Sequence, residues 1–291
     1  MVNITKDYFS VRQICESGQC FRLERLDEAA VDDKESNERH SERYALTAFG
    51  RYLEIEQKQN EISFQCTPEE FEQVWEEYFD LKEDYGRIIG LIDSADAYLL
   101  EAASYGSGIR ILCQDLWEMI ISFIISSQNN IKRIRKCIDL LCKKYGEEKQ
   151  TEAGKHYYTF PTPKALAAAS LEDLYACNLG YRSKYVQKTA QSIVSGEVKL
   201  DVIRKMDYKA AMAELCKLSG VGYKVANCIC LFALHKTEAF PVDTHIDKVL
   251  REQYPQGFPF EKYRGYEGTL QQYIFYYDLG NCETREARSQ S

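Results

Sequence analysis

The spacing of apolar residues changes period part-way along this chain, and that change restricts the fold more than any other feature. Leu53, Ile55, Ile62, Phe64 and Cys66 alternate with Glu54, Glu56, Ser63 and Gln65 around a polar turn at Gln57 to Asn60. A period of two puts apolar side chains on one face of an extended strand, so the segment reads as a hairpin with one buried face. Thr67-Pro68-Glu69-Glu70 then supplies an N-cap, a proline at the first helical position and a capping-box glutamate, predicting a helix that buries Phe71, Val74, Trp75, Tyr78 and Phe79. From about Asp93 onward the period is helical, with segments near 115–126, 131–145, 164–176, 183–195, 207–217, 223–235, 245–253 and 261–278. Strands followed by helices make an α+β chain, with an antiparallel sheet domain over residues 1–95 and an all-helical domain over 96–291. Two stretches read as connections: the polar run between Leu26 and Arg43, expected to be an exposed loop, and Gly146 to Thr162, expected to be a linker.

Composition narrows the function classes. A chain of 291 residues with 45% apolar content can bury its core without disulfide or metal staples. Its longest apolar run, Ile120 to Ile125, falls far short of the roughly 20 residues that span a bilayer, so no membrane span is expected. The first residues lack an apolar signal core, which gives the expectation of a chain that stays in the cytoplasm. Eleven cysteines are an odd, scattered set, and Cys137, Cys142 and Cys216 sit among apolar helical neighbours, as reduced buried thiols would. The pairs Cys15/Cys20, Cys137/Cys142 and Cys228/Cys230 have neither C-x-x-C spacing nor histidine partners, so no zinc site is expected. A formal net charge of −8 argues against coating nucleic acid by charge alone, although a local basic patch is compatible with it.

The segment richest in chemistry runs from Leu215 to Asn227, Leu-Cys-Lys-Leu-Ser-Gly-Val-Gly-Tyr-Lys-Val-Ala-Asn. A helix ends at Leu218, a two-glycine turn follows, and a second helix begins at once. Gly220 and Gly222 permit positive φ and a bare backbone, so the amides opening the second helix can face a phosphate. Such a hairpin grips a nucleic-acid backbone without reading its sequence; a plain glycine turn between packed helices is the alternative. Lys224 lies in the first helical turn, where the helix dipole disfavours a cation. A lysine so placed either clamps an anion or has its pKa lowered so that the neutral amine can act as a nucleophile, a form that only about four lysines in ten thousand adopt at pH 7. Downstream, in Phe240-Pro241-Val242-Asp243-Thr244-His245-Ile246-Asp247, both Asp243 and Thr244 are good helix caps, and a capping carboxylate is held in place for chemistry as well.

With Pro241-Val242-Asp243 following the hairpin, the sequence resembles the helix-hairpin-helix DNA glycosylases, in particular their 8-oxoguanine branch. The resemblance extends to Ser17-Gly18-Gln19-Cys20-Phe21-Arg22, to Ser122 through Ile131 and to Leu179-Gly180-Tyr181-Arg182. It implies a TBP-like N-terminal sheet domain ahead of the helical glycosylase domain, with the active site between them. The activity it implies is that of a bifunctional DNA glycosylase and AP lyase, acting on double-stranded DNA that contains 8-oxoguanine, preferably opposite cytosine. Lys224 and Asp243 would be catalytic. The lysine would attack C1′, form a Schiff base and cut the strand by β-elimination, while the aspartate would stabilise charge on the sugar. Gly18, Cys228, Gln271 and Phe275 would form the base pocket: the Gly18 carbonyl on N7–H, Gln271 on the pairing edge and Phe275 on the ring face. Arg133 and Arg182 would read the orphaned cytosine and Tyr181 would act as the wedge. Gln128 stands where the family usually has an asparagine. Gly220, Gly222 and His245 would contact the DNA backbone.

The chain is expected to act as a monomer associated with the nucleoid, and the resemblance implies no organic or redox cofactor. A monovalent or calcium-like cation on the hairpin's backbone carbonyls is compatible with it. The family's iron-sulfur members carry four closely spaced cysteines after the catalytic region, where this chain has only Cys282, so no cluster is expected. Two rival readings remain: a glycosylase for another damaged purine, and a non-catalytic DNA-binding module.

Overall fold

The computed structural model describes the backbone of residues 1–26 and 41–289, and the side chains of residues 1–26 and 41–281. Most of the loop expected between Leu26 and Arg43 therefore lies outside the described residues.

Five strands, β1 (Val2–Thr5), β2 (Leu23–Arg25), β3 (Glu42–Ala48), β4 (Arg51–Lys58) and β5 (Glu61–Phe64), form one antiparallel sheet in the order β1-β5-β4-β3-β2, with helix α1 (Val11–Glu16) between β1 and β2. The predicted alternation is present: Leu53, Ile55, Ile62 and Phe64 face the core. The strand runs further than the sequence indicates, however, because Gln57 is a buried strand residue instead of part of the turn. Its amide is satisfied there, accepting from Val11 N at 2.8 Å and donating to Phe9 O at 2.9 Å, so burial carries little penalty. The tight turn falls at Gln59 and Asn60, with Gln59 at φ 58°. The capped helix follows as predicted, Thr67 accepting from Glu70 N. Short α2 (Pro68–Glu70) and α3 (Glu76–Tyr78) flank a π turn at Phe71–Trp75, and Trp75, Tyr78 and Phe79 close the sheet's core.

Two helical cores complete the chain. The larger gathers α6 (Leu116–Ser126), α7 (Ile131–Tyr145), α8 (Pro163–Ala168), α9 (Leu171–Ala176), α10 (Arg182–Val194), α11 (Leu200–Ile203), α12 (Tyr208–Leu215) and α13 (Tyr223–Phe232). Helix α6 is apolar around nearly its whole circumference and is buried accordingly. The other core joins α4 (Tyr85–Gly90) and α5 (Ala97–Tyr105) to α14 (Thr244–Gln253) and α15 (Glu267–Ser289), so two late helices pack back on α4 and α5.

Four further sequence expectations change. The helix expected over 164–176 breaks at Ala169, which turns extended because Ser170 caps a new helix by accepting from Asp173 N. The expected linker at 146–162 contains a small antiparallel pair, β6 (Glu148–Gln150) and β7 (His156–Tyr158). The helix expected over 261–278 starts as a 3-10 turn at Phe260–Tyr263, stops at Gly265 with φ 88° and resumes at Glu267, whose carboxylate accepts from Gly265 N. Cys216 is exposed, whereas Cys137 and Cys142 are buried. Among the described residues no cysteine is in a disulfide, and no helix is long and apolar enough to cross a membrane.

Candidate active site

The two glycines of the hairpin do different work. Gly220 adopts φ 82°, and a Cβ there would lie 2.7 Å from Cβ of Tyr185, so both conformation and space exclude a side chain. Gly222 has an ordinary φ of −90°, does not use the positive φ that glycine permits, and caps α13 with open space around it. With no side-chain cap, the opening amides of α13 face outward from a bare turn. The hairpin is tied to α10 by the Thr189 hydroxyl, which donates to Ser219 O at 2.9 Å.

From that turn Lys224 reaches into a cleft lined by Gly18, Phe123, Cys228, Pro241, Asp243, Gln271, Gln272 and Phe275. Its Nζ lies 5.9 Å from the centroid of Phe123, which stacks on Phe232. Asp243, half-buried, is the N-cap of α14: its Oδ1 accepts from Ile246 N at 2.9 Å, leaving Thr244 as the first helical residue. The Lys224 amine is held above the ordinary lysine value by Cys228 and then Asp243, against burial, which pulls it down. Burial pushes the Cys228 thiol up in turn, so at neutral pH it is a protonated, uncharged neighbour of the amine. Lys224 thus rests as an ammonium, and the lowered pKa considered from sequence is not its resting state.

The facing wall comes from the N-terminal region. Gly18 sits at φ 75°, and a Cβ on it would meet Phe275 Cε1 at 3.3 Å, which puts the ring in contact with this loop. The loop is fixed by Gln19, which donates to Arg110 O at 3.0 Å and to the Ser17 hydroxyl, and accepts from Leu112 N at 3.0 Å. On α15, Gln271 donates to Pro241 O at 3.0 Å. His245 pairs with Asp278 at 2.9 Å and stands edge-on to Phe275, so in this structure it supports the pocket wall.

A second, more open cleft adjoins the hairpin and is lined by Ser127, Gln128, Tyr181, Tyr185, Gly220, Val221 and Gly222. Gln128 is exposed at φ 49° on its rim. Tyr181 projects beside it, 47% exposed, edge-on to Tyr185. Arg182 is buried and donates to the carbonyls of Ser127 and Gln128 at 2.9 Å and of Leu179 at 3.4 Å. It anchors the loop that presents Gln128. Arg133 is exposed at the start of α7, its amide bound to the Asn130 cap. Among the described residues no three His, Cys, Asp or Glu side chains gather as metal ligands.

Residues 1–120 match the family described as 8-oxoguanine DNA glycosylase, N-terminal domain, and residues 121–256 match the HhH-GPD superfamily of base excision DNA repair proteins. The crystal structure of the Clostridium acetobutylicum 8-oxoguanine glycosylase/lyase, in complex with dsDNA containing cytosine opposite 8-oxoG, superposes with a TM-score of 0.85. The two are 35% identical over 97% of this chain and 98% of that one. The chain belongs to the 8-oxoguanine DNA glycosylase family. The Saccharomyces cerevisiae N-glycosylase/DNA lyase is 36% identical over 158 residues, and the probable N-glycosylase/DNA lyase of Methanothermobacter thermautotrophicus is 33% identical over 207. These matches take in 50% and 64% of this chain, and 42% and 64% of those proteins.

Two glutamines that shape this site have no role assigned from the sequence. Gln19 orients the Gly18 loop, and only its place inside Ser-Gly-Gln-Cys-Phe-Arg hinted at a role. Gln272 lines the cleft directly beside Gln271. Its signal was a second amide on a helix whose neighbours, Leu270, Tyr273 and Ile274, are buried apolar residues.

Proposed function

We propose that this protein is a bifunctional DNA glycosylase and AP lyase of base excision repair that removes 8-oxoguanine, preferably opposite cytosine, from duplex DNA. The observation that carries the reading is the meeting, in one cleft, of an amine, a fixed carboxylate and a base-sized wall made by Gly18, Gln271 and Phe275. The named activities of the relatives support it.

The hairpin amides and Gly222 hold a phosphate, which draws the lesion strand against Lys224. The target nucleotide leaves the duplex and enters beside Gly18, displacing the Phe275 ring from its contact there. The Gly18 carbonyl accepts from N7–H of the lesion; ordinary guanine has a lone pair at N7 and meets the same oxygen with repulsion. Lys224 first gives up a proton. Its neutral Nζ then attacks C1′, the glycosidic bond breaks, and the base departs with the bonding pair and takes up a proton. Asp243 stabilises the positive charge that develops on the sugar. Ring opening leaves an imine between Lys224 and C1′. Loss of a C2′ proton then expels the 3′ phosphate, and water releases the amine.

A cation at the hairpin would have main-chain carbonyls for ligands, and those of Leu218 and Ser219 already accept one hydrogen bond each. Such an ion would help hold the phosphate and takes no part in the bond changes. Borohydride trapping tests the whole reading. A covalent adduct should form on a duplex with 8-oxoguanine opposite cytosine, be absent from undamaged and uracil-containing duplexes, and vanish in Lys224→Gln. Lesion release without any adduct would make the protein a hydrolytic glycosylase instead.

A further inference from the structure

One polar group on the pocket wall has needs that the protein does not meet. Gln272 is 4% exposed and lines the cleft with Gln271 and Phe275, yet its Oε1 is buried without a hydrogen-bond partner. Neighbouring bonds establish which atom that is. The Pro241 carbonyl can only accept, so the Gln271 atom facing it at 3.0 Å is the amide nitrogen. Gln271 Oε1 then needs a donor, and Gln272 Nε2 supplies one at 3.3 Å. The relay runs in one direction and ends on an acceptor with nothing to accept. Buried amide oxygens are nearly always paired, and an orphan on a residue that lines a ligand cleft is a candidate for a donor brought by the ligand.

We infer that Gln272 is a second base-reading residue, whose Oε1 accepts from the exocyclic N2 amine of the flipped lesion while Gln271 Oε1 takes N1–H on its remaining lone pair. The inference rests on the function proposed above and names how the pairing edge is read. That edge of a guanine-type base carries two adjacent donors, N1–H and the N2 amine, and two neighbouring amide oxygens match them. An adenine-type edge presents N1 as an acceptor with a carbon-bound hydrogen beside it, and leaves both oxygens without donors. With 3.6 residues per turn, positions 271, 272 and 275 fall within about 100° of arc, so the stacking ring and both oxygens share one face of α15. The Gln272 nitrogen also keeps the Gln271 amide from inverting, which holds the pair in its guanine-reading arrangement.

The test compares single-turnover release of 8-oxoguanine and 8-oxohypoxanthine, each opposite cytosine, by the wild-type protein and by Gln272→Leu. The analogue keeps N7–H, O6 and N1–H and lacks only the N2 amine. Differences in duplex stability affect both proteins alike and cancel in the ratio of ratios. The wild-type preference for 8-oxoguanine should shrink on the order of tenfold or more in the variant, the value of one buried hydrogen bond. An equal preference in the two proteins, with both substrates slowed alike, would leave Gln272 a structural residue and overturn the inference. Should Gln272→Leu not fold, Gln272→Met preserves side-chain length and is scored by the same ratio. Failure of the wild type to release 8-oxoguanine at all would remove the functional reading and this inference with it; release with an unchanged ratio removes this inference alone.

Discussion

Asp243 holds two tasks that a pair of substitutions can separate. Its Oδ1 caps α14 through Ile246 N at 2.9 Å, and the same carboxylate stands beside Lys224 in the cleft. Asparagine caps a helix as well as aspartate does, so Asp243→Asn keeps that bond and loses the charge's attraction for Lys224 and its interaction with the helix dipole, the latter about 0.3–1 kcal/mol. Asp243→Ala loses the cap too, for a total of about 1–2 kcal/mol. In a chain of this size each kcal/mol moves the melting temperature by about 2 °C, so the alanine variant should melt roughly 2–4 °C low and the asparagine variant within about 2 °C of wild type. Chemistry ranks them differently. A carboxylate about 4 Å from charge developing on the sugar, at an effective dielectric near 20, contributes about 4 kcal/mol, or roughly a thousandfold in rate. Both variants should therefore lose about three orders of magnitude in single-turnover base release. The assay pairs that rate with a thermal melt. If Asp243→Asn keeps base release within tenfold of wild type, the carboxylate is a cap and the electrostatic role assigned to it is wrong.

Further outcomes can be stated briefly. Because Lys224 rests as an ammonium, the single-turnover rate should climb with pH through the neutral range, close to tenfold per unit while the amine is mostly protonated. Burial keeps the Cys228 thiol protonated and uncharged there, so Cys228→Ala should leave that rise in place, and a shift to lower pH would mean that a thiolate holds the amine. Gly18→Ala forces a side chain into φ 75° and presses on Phe275 at 3.3 Å, which should cost about 1–2 kcal/mol of stability and narrow the discrimination of 8-oxoguanine from guanine. A melt unchanged from wild type would mean that the loop relaxes freely. Arg133→Ala should narrow the preference for cytosine over adenine opposite the lesion, read as the ratio of release rates on the two duplexes. Arg182→Ala should instead destabilise the loop at Gln128 and slow release opposite both bases, since its guanidinium holds the Ser127 and Gln128 carbonyls.

The parts legible in the sequence were those encoded over a few residues. Alternation at Leu53 to Phe64 and the Thr67 cap gave the sheet and its first helix, and the Gly220 turn with Lys224 gave the hairpin. What escaped depends on partners distant in the chain. Gln57 looks like a turn residue until Phe9 and Val11 satisfy its amide from 48 and 46 residues away. The break at Ser170 was hidden because one continuous helix and two capped ones share the same apolar spacing there. Arg182 looked free to read a base, and only the folded loop offers it three carbonyls. Gln19 and Gln272 act through hydrogen bonds across the core or along a relay, for which local sequence has no periodic signature.

The wall against which a base would lie is a seam between the two ends of the chain. Phe275 touches the Gly18 loop, and the Tyr276 hydroxyl bonds Glu16 at 2.8 Å across a separation of 260 residues. Closing a loop of that length costs about 5 kcal/mol of chain entropy, which the α5 and α15 contacts must offset before any pocket exists. In a growing polypeptide the amine and carboxylate are therefore made before α15 completes the surface that selects their target. Selectivity waits on the docking of α15 against the Gly18 loop, and a chain that frays at that seam would lose its choice of base while its cutting residues stayed folded.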